Sequence, residues 1–112
     1  MKRLLFGILS IATIVFLSAC ADEVDPQFRI KNERSDKANV QIQTSGGNTI
    51  NLNEVQPGQT TAYQSASVGN IVVTAVIQNE SVSPTVTFFG EKDSRFTVVI
   101  QAGTTPTLRI DQ

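Results

Sequence analysis

From Phe28 onward, apolar and polar positions alternate with a period of two. Phe28, Ile30 and Asn32 alternate with Arg29, Lys31 and Glu33, and Ala38, Val40, Ile42 and Thr44 with Asn39, Gln41 and Gln43. The same rhythm returns at Ile50 and Leu52, at Phe96, Val98 and Ile100, and at Leu108 and Ile110. Successive side chains of a strand point to opposite faces, so each run predicts a strand with one face turned to a core. Turn chemistry falls between the runs. Ser45-Gly46-Gly47-Asn48 suits a tight hairpin, and Gln56-Pro57-Gly58-Gln59 a type II turn with proline and glycine at its centre. Val68-Gly69-Asn70, Gln78-Asn79-Glu80-Ser81, Glu91-Lys92-Asp93 and Ala102-Gly103 punctuate the rest. Pro84 and Pro106 have no N–H for a ladder and mark strand starts or edges. The pattern predicts an all-β domain over residues 28–112, a single antiparallel β-sandwich of about seven or eight strands, favoured over a small barrel.

Composition sharpens this. Residues 20–112 hold eleven Val and seven Ile but two Leu, with eleven Thr besides. β-branched side chains are stiff at χ1 and suit a pleated surface, whereas a helical core of this size would be rich in Leu and Ala. No stretch carries a helical period, and there is no internal repeat.

The first residues follow other rules. Met1-Lys2-Arg3 is a short cationic start, and Leu4–Leu17 is an uncharged, mostly apolar run of fourteen residues. Leu17-Ser18-Ala19-Cys20 ends it, and Asp22, Glu23 and Asp25 come directly after. Cations ahead of an apolar run hold the front end in the cytoplasm while the run enters the bilayer, as in an export signal. A membrane-spanning anchor is the competing reading, because the uncharged stretch is close to the minimum length. Gly7, Ser10, Thr13 and Ser18 dilute it, and the acidic cluster follows at once. Leu17-Ser18-Ala19-Cys20 resembles the lipobox of bacterial lipoproteins. The resemblance implies a cleaved signal peptide over residues 1–19 and diacylglycerol on the Cys20 sulfur, with the membrane as partner through that lipid. It implies a bacterial envelope location, with the outer membrane favoured in a Gram-negative source because residue 21 is Ala, and leaves the facing open. Residues 20–27 would form a short acidic tether holding the domain near the lipid.

Several features of residues 28–110 are similar to a family of small immunoglobulin-like domains of bacterial envelope and secreted proteins whose function is uncharacterised. They are Phe28-Arg-Ile-Lys-Asn32, Ala38-Asn-Val40, Pro57-Gly58 with Tyr63 beyond it, Gly69 opening the strand Ile71–Ile77, and Phe96-Thr-Val-Val99. The resemblance implies an immunoglobulin-like sandwich and supplies no catalytic residue.

Candidate chemistry is sparse. The sequence has no His and no Trp, and its one Cys is committed to the anchor. Most metal sites, His-based triads and internal disulfides are thereby excluded. The formal charge of −1 falls to −3 when the signal takes Lys2 and Arg3 with it, which argues against a nucleic-acid partner. The carboxylate pairs Glu33/Asp36 and Glu91/Asp93 lie among cations and read as exposed turns, so no catalytic, cofactor or metal site is assigned and an enzyme is not expected. Tyr63 reads as a buried ring with its hydroxyl bonded to nearby backbone. Phe88 and Phe89 are adjacent and must face opposite ways, and Ile71–Ile77 is apolar on both faces. These features predict an outward stripe of Val72, Val76, Phe89 and Val99 for an envelope protein partner or a second copy, unless a bulge or loop covers it. The expected role is a structural or accessory interaction domain. The alternative is a surface module binding a glycan or small molecule in a polar cleft around Tyr63, Asn51 and Asn53.

Overall fold

The alternation is realised as eight strands, in a computed structural model that describes residues 24–112. The predicted signal peptide and Cys20 lie outside the described residues. In order the strands are β1 (Gln27–Asn32), β2 (Ala38–Gln43), β3 (Thr49–Val55), β4 (Gln64–Ser65), β5 (Gly69–Ile77), β6 (Thr85–Gly90), β7 (Arg95–Gln101) and β8 (Thr107–Asp111). They form two four-stranded sheets, ordered β4-β1-β7-β8 and β3-β2-β5-β6.

The inward sets are those of the sequence pattern. Phe28, Ile30, Phe96, Val98 and Ile100 from the first sheet meet Val40, Ile42, Ile71, Val73, Ala75 and Ile77 from the second in one buried cluster. Phe88 joins from β6, its ring 4.8 Å from that of Phe96. Burying branched aliphatic side chains on two facing sheets is the main favourable contribution to a sandwich of this size.

Two features depart from the expected arrangement. The sandwich is not purely antiparallel, because β1 runs parallel to β7, with Phe28 beside Phe96 and Ile30 beside Val98. Every other pairing is antiparallel. The strand order also separates β1 and β2 into opposite sheets, whereas constant-type immunoglobulin domains keep their first two strands side by side.

Turns behave as their residues demand. Gln59 N donates to Gln56 O at 3.0 Å with Gly58 at φ 76°, the type II geometry. Between β2 and β3, Gly47 adopts φ 87° and donates to Thr44 O. A bulge lies where β3 leaves this hairpin. Ala38 pairs with Val55 and Val40 with Leu52, so β3 has one residue more than β2. Glu54 absorbs it at φ 57°, and its N–H donates to Asn39 Oδ1 at 2.7 Å.

Among the described residues one polar side chain, that of Asn32, is wholly buried. Asn32 Nδ2 donates to Asp36 O (2.9 Å) and Val55 O (3.1 Å), while Oδ1 accepts from Arg34 N (2.9 Å). Arg34 continues the knot, with Nη1 donating to Gln101 O at 2.8 Å and Nη2 to Glu80 Oε2 at 2.7 Å. Together they tie one end of the sandwich, joining the β1–β2 loop to β3, β7 and the turn after β5.

Candidate functional site

With the inner faces spent on the core, chemistry is left to the outer faces, and the two differ in charge. In the sheet β3-β2-β5-β6, strands β2 (ANVQIQ), β5 (GNIVVTAVI) and β6 (TVTFFG) hold no ionisable residue. Register lines up the outward side chains of this face in rows. Asn51, Gln41, Thr74 and Thr85 form one, and Thr49, Gln43, Val72 and Thr87 the next. Thr74 and Thr85 join hydroxyl to hydroxyl at 3.1 Å. At the margin Lys37 and Glu54 pair at 3.6 Å.

The predicted apolar stripe lies partly on this face. Phe89 is 56% exposed and Val76 54%, and Val72 is half-buried. Phe89 pairs with Asn70 and Thr87 with Val72, so Phe89 and Val72 are diagonal neighbours within reach of an aromatic side chain. Val76 stands apart, beyond Thr74. Val99 does not belong to the stripe. It sits in β7 of the other sheet, 1% exposed, between Lys31 of β1 and Arg109 of β8. Long aliphatic stems beside an outward valine cover it while their charged ends stay in water, which is how an outward position becomes buried.

The sheet β4-β1-β7-β8 presents Arg29, Lys31, Arg95 and Arg109 outward. Lys31 pairs with Glu33 at 3.7 Å and Arg109 with Asp111 at 2.9 Å. The Arg109 guanidinium, as hydrogen-bond donor and as charge, holds the Asp111 carboxyl below its ordinary value, and Asp111 raises that of Arg109. Arg29 and Arg95 have neutral partners. Arg29 Nε donates to Thr97 Oγ1 at 3.0 Å, and Arg95 Nε to Gln27 Oε1 at 3.1 Å. Both guanidiniums lie over the Tyr63 ring, at 4.7 and 4.8 Å from its centroid. Tyr63 is thus half-buried against two cations and not sealed in the core as the sequence suggested. It gained this place because Thr61 is fixed to Ile30 through both backbone and side chain, which delivers the ring to the outer side of β1.

The cleft expected around Tyr63, Asn51 and Asn53 is not assembled, since Tyr63 lies on one outer face and β3 belongs to the opposite sheet. A different cleft, of about 410 Å³, opens where the sheets part, lined by Thr44, Asn48, Thr49, Ser65 and Ser67 with Asp25 at its edge. Of the carboxylate pairs, Glu33 faces Lys31, and Asp93 Oδ1 accepts from Val24 N at 3.0 Å. Among the described residues no group of His, Cys, Asp and Glu is placed to hold a metal ion. The pairing of Arg29 and Arg95 around Tyr63 was missed in the sequence because β1 and β7 are far apart along the chain, and alternation marks both arginines only as outward.

Fold and faces define the class: an all-β, two-sheet domain with one basic and one uncharged face. No family model matches the chain, and no curated protein matches it. Among solved structures it is similar to the NMR structure of a protein from Eubacterium rectale, with 16% identity and a TM-score of 0.60, over 82% of this chain and 91% of that one. Likeness at that identity concerns the fold.

Proposed function

We propose that this chain is a lipid-anchored, non-enzymatic protein of the bacterial envelope, a structural or accessory subunit whose sandwich engages another envelope protein. In this reading residues 1–19 are removed, Cys20 carries the lipid, and the outer membrane is the destination in a Gram-negative source. The domain is immunoglobulin-like only in the broad sense of a two-sheet sandwich.

The observation that carries the interaction role is the face of β2, β5 and β6, without charge, with Phe89 and Val76 in the open and Val72 half-buried beside Phe89. Charged residues are depleted and aromatic residues enriched at the cores of protein interfaces, while solvated sheet faces are usually studded with charge. A photo-crosslinking residue at Phe89 in intact cells tests this, with Thr107 on the opposite sheet as control. A discrete adduct at residue 89 that is absent at 107 is expected. Equal labelling at both positions, or none at 89, overturns the interaction role. Anchoring is read separately: mass spectrometry of the membrane-borne chain should find residues 1–19 removed and acyl groups on Cys20, and Cys20→Ala should lose the acyl groups and retain residues 1–19.

The second reading is glycan or small-molecule capture. It is favoured by the cleft where Thr44, Asn48, Thr49, Ser65 and Ser67 stand beside the apolar Ile50 and Ala66, since the hydroxyl and amide groups can both donate to and accept from sugar hydroxyls.

A further inference from the structure

The basic face has a ligand chemistry of its own. Around Tyr63, Arg29 and Arg95 use Nε for their hydrogen bonds and hold their guanidinium carbons over the ring, and no carboxylate pairs with either among the described residues. Two guanidiniums gathered at one aromatic ring, each with only a neutral hydrogen-bond partner, keep full positive charge and further N–H donors of the kind that suits phosphate oxygens. The other two cations of the face are already matched, Lys31 by Glu33 and Arg109 by Asp111. The unbalanced positive charge is therefore concentrated at Arg29 and Arg95.

The geometry of chain entry says where that charge sits. Val24 is clamped to Asp93 by two backbone-anchored bonds, Val24 N to Asp93 Oδ1 at 3.0 Å and Asp93 N to Val24 O at 2.9 Å. Asp93 is two residues before Arg95, which pairs with Gln27 in the β1–β7 register. Cys20 lies four residues before Val24, a reach of at most about 14 Å. Asp25, Glu91 and Asp93 outnumber Lys92 at that end, and Asp22 and Glu23 precede them in the sequence, so an anionic surface repels the domain standing upright on its tip.

We propose that the anchored domain lies over on its β4-β1-β7-β8 face, with Arg29 and Arg95 gripping the phosphates of anionic lipid headgroups and the uncharged β3-β2-β5-β6 face turned away from the bilayer. This rests on the lipid-anchor reading above. It also explains how one small domain keeps its interaction face open while tethered by so short a stem. Two arginines at about 1 kcal/mol each near an anionic surface bias the orientation about 30-fold.

The test uses the full lipidated chain recovered from bacterial membranes, with single substitutions Thr107→Cys (basic face) or Gln41→Cys (uncharged face) carrying a fluorophore. The chain is placed in vesicles of phosphatidylcholine alone or mixed with phosphatidylglycerol, containing a headgroup-linked quencher. In the anionic vesicles the label at 107 should be quenched well above that at 41. The difference should vanish in phosphatidylcholine, at high salt, and in R29Q/R95Q, while R29K/R95K, which keeps the charge, should retain most of it. Equal quenching at both positions, or a difference unaltered by R29Q/R95Q, overturns the orientation while leaving the anchor intact. A wild-type chain recovered from the soluble fraction without acyl groups overturns the anchor, and the orientation with it.

Discussion

Asn32 and Arg34 show how single residues set the sandwich. The buried Asn32 amide satisfies two carbonyls and one N–H from two segments, the β1–β2 loop and the end of β3. Its removal leaves those groups unpaired at the desolvation cost of each. Asn32→Ala should therefore lower unfolding free energy by about 3 kcal/mol, read by denaturant titration, against about 0.5 kcal/mol or less for the exposed Gln41→Ala. At the surface, Asp111 reports on charge. Its carboxyl is depressed in the folded chain, so its contribution is present above the unfolded value and is lost as pH falls through the folded one. The carboxyl is solvent-exposed, so screening keeps that contribution small. An NMR titration should find Asp111 below the ordinary carboxylate range, and Arg109→Gln should return it upward. In the sequence Asn32 appeared as an inward position in a strand. Nothing there announced that its partners would be the carbonyls of Asp36 and Val55, because the Val55 contact depends on how β3 crosses back over β2.

At the level of elements, the β2–β3 bulge stores strain at a named place. Glu54 holds φ 57°, a left-handed conformation that costs an ordinary residue more than glycine. Its surface pair with Lys37 is worth a few tenths of a kcal/mol at most. Glu54→Gly should stabilise the domain by about 0.5 kcal/mol, visible as a small rise in Tm. The Gln56–Gln59 turn was legible because proline and glycine at its centre admit few alternatives. The bulge was not, because Asn53-Glu54 carries no such signal and the extra residue exists only relative to β2. The parallel β1–β7 pair escaped for a similar reason: alternation records which face a side chain takes and is silent about which strand lies alongside, or in which direction.

The whole molecule separates the adjacent rings. Phe88 turns inward against Phe96, and Phe89 outward on the uncharged face. Phe88→Ala should cost about 3 kcal/mol, and Phe89→Ala less than about 1 kcal/mol, compared by thermal or denaturant unfolding. A Phe89 variant that unfolds the domain would return that residue to the core and end the interaction reading. With the basic face on lipid and the uncharged face outward, the two proposals occupy opposite sides of one thin sandwich. A soluble partner could then bind without displacing the headgroup contacts.

The sequence by itself determined most of the strands, their inward sets, most turns and the all-β character of the described residues, because these depend on periods of two and on the backbone limits of glycine and proline. It also placed Phe89 and Val76 in the open. Only the tertiary structure decided that Val99 is buried on an outward position, that Tyr63 leaves the core to meet Arg29 and Arg95, and that charge is withheld from one sheet face and gathered on the other. Those outcomes depend on strand order and register between segments far apart in the chain, which local alternation does not encode.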